Sequence, residues 1–152
     1  MKRVAGLSAA LALAASVTMM AQAGGVDEPV NTVAAPLEVT VSGFRTVSGN
    51  LLAAVYADES GWDSGESVRT ARVAIDNGVI TLRFDDLDPG VYGLKMFQDL
   101  DGNNALDRSS MGIPTEAYGF SNNARGSFGP ASWSAAAFTL TTGENSQVIT
   151  LQ

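Results

Sequence analysis

The chain has 152 residues, sixteen acidic against nine basic side chains for a formal net charge of −7, and neither cysteine nor histidine. Those two absences exclude disulfides, zinc sites of ordinary type, Ser-His-Asp and Cys-His nucleophile systems and imidazole general bases, leaving carboxylate chemistry as what is readily available. The bases are scattered singly among acids, which argues against a nucleic-acid partner, because counterion release needs clustered Lys and Arg.

Lys2 and Arg3 precede an apolar run from Val4 to Met20, and Ala21-Gln22-Ala23 supplies a small-x-small cleavage site. Residues 1–23 therefore read as a secretory signal peptide. The run is too short and Ala-rich for a membrane anchor, nothing after it resembles a second span, and without cysteine there is no lipidated N-terminus. The expected mature chain is periplasmic or secreted and does not span the membrane. Cleavage leaves 129 residues, one domain's worth, and removing Lys2 and Arg3 shifts the net charge from −7 to −9.

Residues 24–36 hold two prolines and little periodicity and read as a flexible leader. From Leu37 the pattern changes: Leu37, Val39 and Val41 alternate with Glu38, Thr40 and Ser42, the two-residue period of a half-buried strand. Leu51–Ala57, Ser67–Ile75 and Val79–Phe84 follow, with Asp76-Asn77-Gly78 as a hairpin signal between the last two. After the turn Asp88-Pro89-Gly90, Tyr92, Leu94 and Met96 mark the inward face of a fifth strand. Ala136–Thr141 and Gln147–Leu151 form a final pair across Gly143-Glu144-Asn145. Seven short strands without a convincing amphipathic helix predict a seven-stranded antiparallel β-sandwich over residues 37–152. One connection breaks the pattern: residues 108–134 form a long flap rich in Gly, Ser, Asn and Pro. Its aromatics, Tyr118, Phe120, Phe128 and Trp133, are expected to pin it over one end of the sandwich.

Between the fifth strand and the flap lies Asp99-Leu100-Asp101-Gly102-Asn103-Asn104-Ala105-Leu106-Asp107. Asp99, Asp101 and Asn103 at spacing two, the Ala105 carbonyl and the Asp107 carboxylate offer hard oxygen ligands as an EF-hand loop does. Asn104 replaces the sixth-position glycine and Ser110 the twelfth-position glutamate, so a standard EF-hand is not expected. The loop has two readings, a Ca²⁺ site and a turn whose Asp, Asn and Gly residues cap their own backbone. In the first, Glu116 folds back from the flap as the missing carboxylate.

Pro89-Gly90-Val91-Tyr92, the acidic loop, and Gly112-Ile113-Pro114-Thr115-Glu116-Ala117-Tyr118-Gly119-Phe120-Ser121-Asn122-Asn123-Ala124 together resemble the bacterial domain of unknown function 2141. The resemblance spans about Leu37 to Gln152, and Gly129, Pro130 and Trp133 fall where relatives tend to have Gly-Pro-Pro and an aromatic. It implies an exported single-domain β-sandwich, immunoglobulin-like or transthyretin-like, with no established activity. Relatives often carry His before the first loop aspartate, where this chain has Gln98, so a role for a titrating imidazole there is ruled out.

Three functions are weighed. The favoured one is a non-enzymatic binding or structural module in which the loop holds Ca²⁺ and stiffens the flap. Its partners would be the calcium ion and a glycan or another envelope protein. In the second, Trp62, Tyr118, Phe120 and Trp133 stack on a carbohydrate with Asn122 and Asn123 as polar contacts. The third, a glycosidase, would need two carboxyls among Asp99, Asp101, Asp107 and Glu116 at a separation of roughly 5 to 9.5 Å. No nucleophile and base motif supports it.

Overall fold

The computed structural model describes residues 33–152; the signal-peptide segment and most of the leader lie outside the described residues. The elements in order are β1 (Leu37–Ser42), β2 (Asn50–Tyr56), a short helix α1 (Glu59–Ser64), β3 (Arg69–Ala74), β4 (Val79–Phe84), β5 (Gly90–Asp99), β6 (Tyr118–Phe120), a 3-10 turn at Ser121–Asn123, α2 (Trp133–Ala136), β7 (Phe138–Leu140) and β8 (Asn145–Thr150). Among the described residues no helix is long and apolar enough to cross a membrane.

Two sheets share one core. The smaller has the order β4-β1-β8, and the larger β3-β2-β5-β6, with β7 also on the free edge of β5. The two-residue period decides what faces inward: Leu37, Val39 and Val41 of β1, Ile80, Leu82 and Phe84 of β4 and Ile149 of β8 meet Leu51, Ala53, Val55, Leu94 and Met96 of the larger sheet. The alternate residues Glu38, Thr81, Arg83 and Val148 face outward. Packing begins ahead of β1, since Ala35 is buried and its N–H donates to the Leu87 carbonyl at 2.7 Å.

The structure corrects the expected strand plan in three places. The described residues form eight strands, because the Tyr-Gly-Phe stretch of the long flap is itself an edge strand, β6, paired with Lys95–Phe97. The sheets are not wholly antiparallel, because β1 runs parallel to β8, Leu37 opposite Asn145 through Ser42 opposite Thr150. Two expected hairpins are instead crossings between sheets: β3 lies in the larger sheet and β4 in the smaller, and β7 pairs with β5 while β8 pairs with β1. Turn chemistry fixes a local reversal, and Asn77 does accept the Val79 N–H at 2.8 Å. Which sheet the chain then joins is settled by burial of the apolar face, which no turn residue encodes.

Residues 108–134 are likewise no simple cover. Ala117, Phe120 and Ser121 are buried within the fold, whereas Phe128 is fully exposed and pins nothing. The Ser121 hydroxyl accepts the Leu94 N–H at 2.9 Å and donates to the Ala136 carbonyl at 2.5 Å. It thereby fills the interval between β6 and β7 along one edge of β5.

Gln98 is the polar member of the inward face of β5 and is wholly buried. Its amide donates to the carbonyls of Thr46 and Ser48 at 2.8 and 2.9 Å and accepts the Arg45 N–H at 2.9 Å. It thus satisfies the backbone of the β1–β2 connection, which approaches so closely that a Cβ on Gly49, at φ +75°, would lie 2.3 Å from the Asp99 carbonyl.

Leu94→Ala should cost about 2–5 kcal/mol in urea unfolding, whereas Val148→Ala on the outer face of β8 should cost under about 0.5. Equal losses would show that the inward face is misassigned. Gln98→Leu keeps the volume but leaves three backbone groups without partners, and is expected to cost about 1–3 kcal/mol.

Candidate functional site

The outer face of the larger sheet carries the site. Strand register aligns two rows across it, Arg72-Leu52-Phe97-Tyr118 and Thr70-Ala54-Lys95-Phe120. One step along, Tyr56 stands opposite Gly93 and is roofed by Trp62 and Trp133. The absence of a side chain at Gly93 makes that roof fit, since a Cβ there would sit 2.8 Å from the Trp62 ring and 2.9 Å from that of Trp133. Helix α1 delivers Trp62: Asp58 caps its first turn by accepting the Gly61 N–H at 2.7 Å, and Gly65 ends it at φ 85°. The indole N–H then donates to the Ala131 carbonyl at 3.0 Å, tying α1 to the flap. At the other end of the face, Asn50 stands opposite Asp99, where the acidic loop begins.

Between roof and loop the two rows stay open as a groove of about 520 Å³, bounded further by Leu106, Arg108 and Pro130. Lys95 rises from its floor. Its ammonium lies 4.7 Å from the centroid of the Tyr56 ring and 4.4 Å from that of Trp62, and donates to the Trp62 carbonyl. Burial lowers its pKa, against an opposing pull from Asp63, and burial likewise raises that of the Tyr56 phenol.

The acidic loop closes on itself through its own side chains. Asp99, wholly buried, accepts the N–H groups of Gly102 at 2.8 Å and Asn104 at 3.2 Å. Asp101 accepts the Asn103 N–H at 3.0 Å, and Asn103 accepts that of Ala105 at 2.7 Å while its amide donates to Asp101 and Asp107. Glu116, only 3% exposed, accepts Leu100 N–H at 2.7 Å with one oxygen and Asp107 N–H at 3.0 Å with the other. A small reversal brings it there: Arg108 bridges to Pro114, and the Thr115 N–H donates to the Asp107 carbonyl at 2.8 Å. Oxygens of Asp99, Asp101 and Glu116 lie within 4.8 Å of one another, and Asp107 stands outside that trio. Asn104, at φ 62°, takes the left-handed backbone conformation for which an EF-hand loop keeps glycine.

The residues considered for ligand contact divide. Tyr118 and Phe120 line the groove. Trp133 packs edge-on against Trp62 with ring centroids 5.8 Å apart. Asn122 donates to the carbonyls of Ala135 and Ala137, and Asn123 donates to that of Val148 and accepts the Thr150 N–H. Both amides fasten the 3-10 turn to its neighbours. The sequence reading missed Leu52, Ala54, Arg72, Lys95, Phe97 and Arg108 as groove residues. The signal available was the apolar content of the outward positions Leu52, Ala54 and Phe97, which a strand facing only water does not need.

Fold and site together define a small two-sheet β domain with one open, partly apolar sheet face and a side-chain-closed acidic loop. The chain belongs to the family described as an uncharacterized protein conserved in bacteria (DUF2141), whose model matches residues 39–148. No curated protein and no solved structure matches it.

Glu116→Gln puts an amide donor where a carboxylate oxygen accepts, leaving one of the Leu100 and Asp107 N–H groups facing a donor. It should lower stability by about 1–3 kcal/mol, against under about 1 for Asp101→Asn at an exposed position. Indistinguishable urea midpoints for the two variants would show that Glu116 does not clasp the loop.

Proposed function

We propose that the protein is an exported, non-enzymatic binding module of the periplasm or cell exterior whose ligand occupies the groove on the outer face of the larger sheet. The observation that carries this reading is the open middle of that face, where Leu52, Ala54 and Phe97 form an apolar floor between a roof of tryptophans and the acidic loop. Its volume of about 520 Å³ falls within the roughly 300–1,000 Å³ typical of small-molecule sites. Export rests on Lys2, Arg3, the apolar run and Ala21-Gln22-Ala23. A non-enzymatic role is supported by the lack of His and Cys and by the use of Asp99 and Glu116, two of the four carboxyls considered for a glycosidase pair, as acceptors for backbone N–H groups. An immunoglobulin-like or transthyretin-like class belongs to the same reading, supported by two sheets sharing one core, and adds no function of its own. A glycan is disfavoured as ligand because Trp133, Asn122 and Asn123 are engaged within the fold.

The test is the fluorescence of the uncharged probe N-phenyl-1-naphthylamine, which brightens in apolar sites. It should bind the native protein, and Ala54→Trp, which fills the floor, should abolish binding while leaving the thermal melt within a few degrees. Unchanged probe binding in that variant would remove the groove from consideration.

A second reading concerns the loop. The proximity of Asp99, Asp101 and Glu116 and the left-handed Asn104 support a Ca²⁺ site that stiffens the groove's lower wall, with Asn103, Ala105 and Asp107 as neighbouring oxygens. Extracellular modules bind Ca²⁺ at about 10⁻⁴–10⁻³ M, so millimolar calcium would add on the order of 1 kcal/mol. Calcium is expected to raise the melting temperature, magnesium to do so less, and Asp101→Ala to erase the difference; superposed melts in calcium and chelator would leave only the self-capped turn.

A further inference from the structure

We infer that the groove selects a singly charged anionic amphiphile, a carboxylate on an aliphatic or aryl body. This rests on the groove being a ligand site and goes beyond it by assigning the ligand's chemistry. Seven of the nine basic side chains follow residue 32, and three of them, Arg72, Lys95 and Arg108, line this one groove, while among the described residues no acidic side chain does. In a chain with sixteen acids that is a local reversal of sign.

Arg72 and Arg108 stand at the edges of the apolar floor, and Lys95 rises from it. Arg72 extends from β3, anchored by one N–H to the Asn104 side-chain oxygen at 2.7 Å and lying 4.0 Å from Asp99, with its side chain still 48% exposed. Arg108 donates one N–H to the Gly112 carbonyl at 3.1 Å. A guanidinium has five N–H donors in a planar fork, so each retains donors for a carboxylate. Lys95 lies on the opposite side, above Tyr56 and Trp62.

Floor and rim impose different demands. A neutral hydrophobe would cover the floor but strip water from cations without pairing them, which is costly. A small inorganic anion would pair with the rim and leave the floor wet. One molecule with an apolar body and a single carboxylate meets both conditions.

The experiment compares laurate and dodecyltrimethylammonium, below their micelle concentrations, with dodecanol, below its solubility limit, as competitors of N-phenyl-1-naphthylamine and by calorimetry. Laurate should bind about tenfold or more tighter than dodecanol, with the advantage shrinking as salt is added, and the cationic amphiphile should bind weakest. In Arg72→Gln/Arg108→Gln, which leaves Lys95 in place, laurate should lose most of its advantage over dodecanol while dodecanol is unchanged. Should the double variant fail to fold, Arg108→Gln alone, at an exposed position, is expected to lose about threefold for laurate only. Equal binding of laurate and dodecanol to the native protein, or a laurate advantage undiminished in a folded variant, overturns the inference while the groove remains a binding site. Failure of the uncharged probe and of all three amphiphiles overturns both. Cosedimentation with phosphatidylglycerol vesicles without binding of monomeric laurate would also overturn it, by assigning the basic residues to a lipid surface.

Discussion

Strand β5 has two faces in two different environments, and its two-residue period holds the molecule together. Leu94, Met96 and Gln98 point into the shared core, while Gly93, Lys95, Phe97 and Asp99 form, in order, the space under the tryptophan roof, the groove floor and the start of the acidic loop. A slip of one residue would bury Lys95 and expose Leu94. The register is fixed at several points at once: Gln98 accepts and donates to the β1–β2 backbone, Gly93 alone fits beneath two indoles, and Ser121 completes the edge where β6 gives way to β7. These contacts belong to different segments, so the strand's placement does not depend on one of them.

The acidic loop and the groove are mechanically connected. Glu116 holds both the Leu100 and Asp107 N–H groups, and so joins the first and last turns of the loop to the strand that becomes β6. Asn104, set by the same loop, accepts from Arg72 across the sheet edge. The loop's backbone is thereby linked to Arg72 on one side of the groove and, through Glu116, to the segment that leads into Tyr118 on the other. Among the described residues every buried side-chain nitrogen or oxygen has a hydrogen-bond partner, so this linkage involves no polar group left unsatisfied in the interior.

Most strands are legible in the sequence because inward residues such as Val39, Val41 and Leu82 alternate with polar neighbours, a pattern that needs no tertiary information. Their partners are not legible. The Asp76-Asn77-Gly78 turn looks like a hairpin locally yet carries the chain from one sheet to the other, because the choice of partner depends on which face must be covered. Strand β6 is three residues inside a Gly- and Asn-rich stretch, too short for any period to register. Glu116 could be singled out as the carboxylate that the acidic loop lacks, and the structure does bring it to Asp99 and Asp101. Its backbone partners depend on the reversal at Arg108–Pro114, which composition does not reveal. Aromatic content alone misjudged Phe128, because the same ring can fill a core or stand in solvent, and the rings that meet Trp62 come from separate segments, Tyr56, Phe120 and Trp133.

The parallel pairing of β1 with β8 has a kinetic consequence. Residues 37–42 hydrogen-bond to residues 145–150, so the middle strand of the smaller sheet keeps one edge open until almost the entire domain is available to fold. Closing so long an intervening segment is slow compared with zipping a hairpin. During that interval β1 lacks one neighbour, and Ile149, which stands opposite Val41, is missing from the core.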